Sequence, residues 1–168
     1  MNDRPSEREQ ALEVVTAMVT QAELEHESGA RDGELVVTLP GEKKLKTVVS
    51  LVVGDTALSV SAFVIRNPDE NHEQFYRYLL RHNLRMPLLA YSIDGSGDVY
   101  VGGRIPLRAV TQDLLDQVLG VVLNAADAPF NELLLLGFRS SMHKEWDWRI
   151  SRGESLRNLE AFRSVLER

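Results

Sequence analysis

Four histidines, a run of acidic residues in a turn, a Ser-Ser-x-His segment and a ladder of arginines are the groups here that could do chemistry. The histidines are His26, His72, His82 and His143. No two stand four residues apart as a helical metal pair does, and there is no HExxH, so they read as surface histidines. Asp94, Ser96 and Asp98 imitate the first three ligands of a calcium loop. Val99 then stands where that loop needs glycine, and Ile105 where it needs a bidentate glutamate, so the segment reads as a turn. Ser140, Ser141 and His143 lack the Gly-x-Ser-x-Gly elbow of a hydrolase. Val101-Gly102-Gly103-Arg104 matches no phosphate-binding glycine pattern, and paired glycines near a strand end mark a bulge or close packing. With no Cys, thiolate nucleophiles, disulfides and Cys-based metal sites are excluded. The expectation is a chain that is not an enzyme and needs no metal or cofactor.

Two groups carry binding rather than catalysis. Arg77, Arg81 and Arg85 repeat every four residues on one helical stripe. Glu73 lies one turn before Arg77, in the favourable order for an ion pair, so a solvated face is one reading. The other is a landing site for an acidic partner, made distinctive by a net charge of −6 on the whole chain. Trp146 and Trp148 either pack a C-terminal segment onto the domain or stand exposed as partner anchors.

The helix that presents those arginines begins near Asn71, and the i, i+4 pairs Phe75–Leu79 and Tyr76–Leu80 form its apolar stripe. Met86-Pro87 ends it. Leu88–Ile93 and Val99–Ile105 then read as a hairpin around Asp94-Gly-Ser-Gly-Asp98. Upstream, Ser6 and Glu9 have capping-box spacing. They start a helix with Leu12, Val15, Val19 and Ala22 on one face that decays toward Gly29, packed on the sheet or also on a second subunit. Glu34–Leu39, Thr47–Val53 and Ala57–Ile65 form an antiparallel meander. Downstream, Thr111 caps a helix apolar nearly all round, buried on more than one side by its own domain or by a partner. Pro129 opens a further helix to Gly137. A last helix spans about Ser155–Leu166, with Leu156, Leu159, Phe162 and Leu166 expected to face the domain.

This order resembles the bacterial YbjN-domain family, a family of sensory transduction regulators whose fold is similar to type III secretion chaperones. The resemblance rests on Phe75-Tyr-Arg-Tyr-Leu-Leu-Arg-His-Asn83, Ala90-Tyr-Ser-Ile-Asp94, Gly97-Asp-Val-Tyr-Val101, Arg104-Ile-Pro-Leu107 and Thr111, and covers roughly Glu34 to Phe138. The expected fold is α+β: a five-stranded antiparallel sheet with packed helices in the order α-βββ-α-ββ-α-α plus a C-terminal helix. Residues 1–138 form the expected chaperone-like domain and residues 139–168 an extension carrying the tryptophans. The resemblance implies a non-enzymatic protein- or peptide-binding module. The alternative is a small-molecule sensor, or an enzyme with an enclosed pocket. A homodimer is expected from the resemblance and from the surplus apolar surface of the helix after Thr111. The acidic charge argues against nucleic acid as a partner. No apolar run approaches membrane-spanning length and no signal core is seen, so no membrane is expected. Cys-free composition fits the cytoplasm.

Overall fold

The computed structural model describes residues 5–167. Helix α1 (Glu7–Gln21) opens on the expected box: Ser6 Oγ accepts the Glu9 N–H at 3.2 Å, and Glu9 Oε2 accepts the Ser6 N–H at 2.7 Å. It stops eight residues before Gly29. Glu23 takes a left-handed φ of 53°, and the chain turns into a strand, β1 (Glu25–Ser28). Then come β2 (Glu34–Pro40), β3 (Lys46–Val53), β4 (Ala57–Ile65), α2 (His72–Asn83), β5 (Ala90–Ile93) and β6 (Val99–Pro106). The sheet is antiparallel, with six strands in the order β1-β2-β3-β4-β6-β5. The expectation of five strands is therefore corrected. The missed strand is Glu-His-Glu-Ser, exposed along its length, so no burial alternates in it for a sequence pattern to show.

Register puts one row of side chains across the sheet: Val37 opposite Val49, Val49 opposite Ala62, Ala62 opposite Val101, Val101 opposite Tyr91. All five are buried. Helices α1 and α3 (Gln112–Ala126) cover this face with Val15, Val19, Leu115, Val118 and Val122, each nearly inaccessible. Thr111 caps α3, its Oγ1 accepting the Leu114 N–H at 3.1 Å. The opposite face keeps Val48 and Phe63 more than two-fifths exposed, with Phe63 edge-on to Tyr100 at 5.6 Å.

The run Gln112–Gly137 does contain an 18-residue window long and apolar enough to cross a membrane, which corrects the sequence expectation on that point. It is divided into α3 and α4 (Phe130–Gly137) at Asp127-Ala128-Pro129; Leu115, Val118, Val122 and Leu133 are buried in the core, while Leu134, Leu135 and Leu136 are only partly so. Gly137 is required by packing, since a Cβ there would lie 2.7 Å from Pro68 and 2.9 Å from Phe75.

Beyond α4, where the sequence pattern predicts no helix before Ser155, the structure has one, α5 (Arg139–Arg152). Its first turn is tied to the loop before α2. Glu70 accepts the Ser140 N–H at 2.6 Å and its hydroxyl at 2.9 Å, and Asp69 accepts the Ser141 hydroxyl at 2.7 Å. Gly153, in the left-handed region, ends α5. The expected last helix is instead a 3-10 segment, Arg157–Phe162, followed by one turn, α6 (Arg163–Leu166). Phe162 and Leu166 are buried with Met142 and Trp146, while Leu156 and Leu159 pack partly against the core.

Candidate functional site

No group of three or more His, Cys, Asp or Glu side chains among the described residues is placed to hold a metal. The acidic turn is used up locally: Asp94 Oδ1 accepts the N–H groups of Ser96 and Asp98 at 2.8 and 3.0 Å. Asp98 accepts the Asn67 N–H at 2.8 Å. Ser140 and Ser141 donate to carboxylates, as above, and neither meets a histidine base.

Arg77 and Arg81 lie on α2, and Arg85 falls in the turn after it, so the three do not share one helical stripe; all are exposed. Arg77 pairs with Glu73 at 2.9 Å. Arg77 and Arg81 line a cleft between α2 and α4 together with Arg139 and Glu132, whereas Arg85 lies outside it. Tyr78 donates to Glu132 at 3.2 Å across this cleft, and burial, with Glu132 beside it, pushes its hydroxyl up to about 12. The two tryptophans part company. Trp146 is 3% exposed and belongs to the core, so its candidacy as a partner anchor is corrected: the side chain is spent on packing α5 to the domain. Trp148 is 46% exposed, with Arg152 lying over its ring at 5.5 Å.

The apolar surface that sequence reasoning did not single out lies on the adjoining side of α2. Leu80 and Leu84 are 67% and 87% exposed, and Leu88 and Ile93 about half exposed. Beside them Tyr76, Leu80, Asn83, Tyr91 and Ile93 line an apolar groove of about 300 Å³ between α2 and β5. The signal lay in the two i, i+4 pairs Phe75–Leu79 and Tyr76–Leu80, which read as one apolar stripe in the sequence but are divided in the structure. Phe75 and Leu79 took the core, and Leu80 was left outside.

This groove borders the edge strand β5, but the edge is not open throughout. Asn83 Oδ1 accepts the Tyr91 N–H at 2.6 Å, and Asn83 Nδ2 donates to the Tyr91 carbonyl at 3.2 Å. The backbone groups that a further strand would use at Tyr91 are thus already satisfied by α2. Inside, Tyr91 donates its hydroxyl to the Ala125 carbonyl at 2.6 Å and ties β5 to α3.

The helix α3, from which a dimer was expected, buries Leu115, Val118, Leu119, Val121, Val122, Ala125 and Ala126 within its own domain. Its apolar surplus is consumed by α1 on one side and by β4 and β6 on the other.

An antiparallel sheet with two long helices on one face, a third at the sheet edge and an exposed apolar stripe on that third helix defines an α+β fold of the type III secretion chaperone kind. Two solved structures share it. One is a chain of the ExsC–ExsE complex, with a TM-score of 0.57 at 18% identity, covering 77% of this chain and 97% of that one. The other is the Yersinia pestis type III secretion chaperone SycH, in complex with a stable fragment of YscM2, at a TM-score of 0.50 and 18% identity, covering 69% and 96%. The chain belongs to the YbjN family, described as "Putative bacterial sensory transduction regulator", whose model matches residues 11–135. Relatives include an uncharacterised protein of Mycobacterium leprae, 54% identical over 83% of this chain and 77% of its own length. An uncharacterised protein of Mycobacterium tuberculosis is 54% identical over 80% and 73%.

Proposed function

We propose that this chain is a non-enzymatic protein-binding module that pairs with a second copy of itself through the α2–β5 edge and offers the α2–α4 arginine cleft to an acidic segment of a protein partner. The observation that carries the reading is the exposure of Leu80 and Leu84, one turn apart, beside an apolar groove. Such a stripe is self-complementary about a two-fold axis, with Leu84 of each copy beside the groove of the other. Asn83 blocks strand addition at Tyr91, which favours helix packing over sheet extension as the mode of contact. The opposite sheet edge, β1, carries Glu25 and Glu27, charges of the kind that guard an edge against pairing. In the cleft, Glu73 compensates Arg77, while Arg81 and Arg139 take part in no ion pair among the described residues. Two solved chains of this fold were captured with protein partners, which supports a protein as the ligand class. We further propose a domain boundary at residue 138, supported by the end of the family match at residue 135. A cytoplasmic setting is supported by the Cys-free sequence.

Photo-crosslinking in living cells tests this reading. A photoreactive residue in place of Leu84 should give a self-adduct of twice the chain's mass, and the same residue in place of exposed Thr16 should give none. In place of Arg81 it should give an adduct with another protein, weakened by Arg139→Glu. Adducts at neither position, or equal adducts at Thr16, would overturn it.

A further inference from the structure

A third concavity lies away from the α2–β5 edge, between β4, α4, α5 and the C-terminal 3-10 segment. It is a groove of about 640 Å³, walled by Phe63, Phe130, Leu134, Phe138, Met142 and Leu159. Its size is that of a small-molecule site. Four charged residues line it, and two are already neutralised: Arg66 pairs with Asp69 at 2.7 Å, and Glu145 with Arg149 at 2.6 Å. The other two are Lys44 and Lys46, neither in an ion pair among the described residues. Asp127, the acid that reaches the β2–β3 loop from the end of α3, is held by the backbone of that loop. Its carboxylate accepts the backbone N–H groups of Glu42, Lys43 and Lys44 at 3.0, 3.0 and 2.8 Å. That clamp fixes Lys44 so that its ammonium lies 5.5 and 5.3 Å from the Phe63 and Phe130 ring centres. Lys44 Nζ donates to the carbonyls of Phe63 and Val64 at 3.2 and 2.8 Å. An ammonium has three donors, so one remains.

We propose that this groove binds an aliphatic carboxylate, with the acid head on Lys44 and Lys46 and the hydrocarbon chain along the aromatic and aliphatic wall. Two lysines outside any ion pair among the described residues, with one carboxylate nearby that three backbone N–H groups already hold, select an anion, and the wall selects an apolar body. A peptide fits worse, because the wall offers few polar partners and a buried peptide would leave its own N–H and C=O groups unpaired. A fatty-acid-like ligand has one polar end, matched by one cationic end. Met142 and Leu159 lie outside the family match at residues 11–135, so the C-terminal extension helps build the site. The site is separate from the α2–β5 edge, and either can fail without the other.

Calorimetric titration of the full chain with octanoate, decanoate and dodecanoate, each below its micelle-forming concentration, tests it. The expected result is one site per chain, with affinity rising about three- to fourfold per added methylene. Dodecyltrimethylammonium should bind more weakly than dodecanoate. Lys46→Glu, at an exposed position, should weaken dodecanoate roughly fivefold, and Phe63→Ser should weaken it about tenfold. Leu84→Glu, on the other surface, should leave it unchanged. No saturable binding, indifference to both groove variants, equal binding of the cationic amphiphile, or loss of binding in Leu84→Glu would each overturn the proposal.

Discussion

Asp127 shows how much a single side chain organises. Burial alone would raise its carboxyl; three backbone N–H donors and the nearby Lys44 charge outweigh that and leave it below the ordinary aspartate value. A carboxyl lowered in the folded state contributes stability that is complete above its unfolded value, about 3.9. That stability is lost as the pH falls through the folded value. Asp69, held by Arg66 and then by the Ser141 hydroxyl, is lowered to about 2 and acts in the same sense. Thermal melts should therefore show stability constant from pH 7 to about pH 4 and falling from there toward pH 2. Asp127→Ala should cost on the order of 2 kcal/mol at pH 7, since it strands three N–H groups, and should flatten part of the acid limb. Neither role was legible in the sequence: Asp127-Ala-Pro reads as a helix breaker, and its partners lie more than eighty residues away.

The tryptophans make a second prediction at this scale. With Trp146 buried and Trp148 half exposed, Trp148→Phe should leave a blue-shifted emission poorly quenched by acrylamide. Trp146→Phe should leave a red-shifted, readily quenched one. Matching spectra from the two variants would contradict the placement of α5. Their spacing, i and i+2, already puts them on different sides of a helix.

Among the elements, those whose pattern the core enforces were legible. The meander alternates because one face of β2, β3 and β4 is buried, and the caps of α1 and α3 followed from Ser6, Glu9 and Thr111. Strand β1 was not legible, because backbone pairing to β2 holds it and not side-chain burial. Helix α5 was missed because its buried residues, Met142 and Trp146, are sparse in a polar sequence. The α2–β5 groove was half legible: the apolar stripe of α2 was in view, but which of its residues the core would claim is a tertiary fact. Deleting residues 139–168 should uncover Phe130, Leu134 and Phe138 and raise binding of a hydrophobic dye. Unchanged dye binding would show that the extension does not cover the domain.

Across the whole molecule, one sheet face is covered by α1 and α3, so the surfaces left open to the proposed partners are the edges and the face beside the extension. The proposed α2–β5 contact would join the exposed leucines of two copies, away from the residues that line the arginine cleft. Sedimentation equilibrium of the purified chain, from micromolar to millimolar concentrations, measures that claim directly. The account predicts a mass twice that of one chain, falling to a single chain in the Leu80→Asp, Leu84→Asp double variant with secondary structure and melting cooperativity retained. A wild-type chain that stays monomeric throughout, or a double variant that remains a dimer, would contradict it.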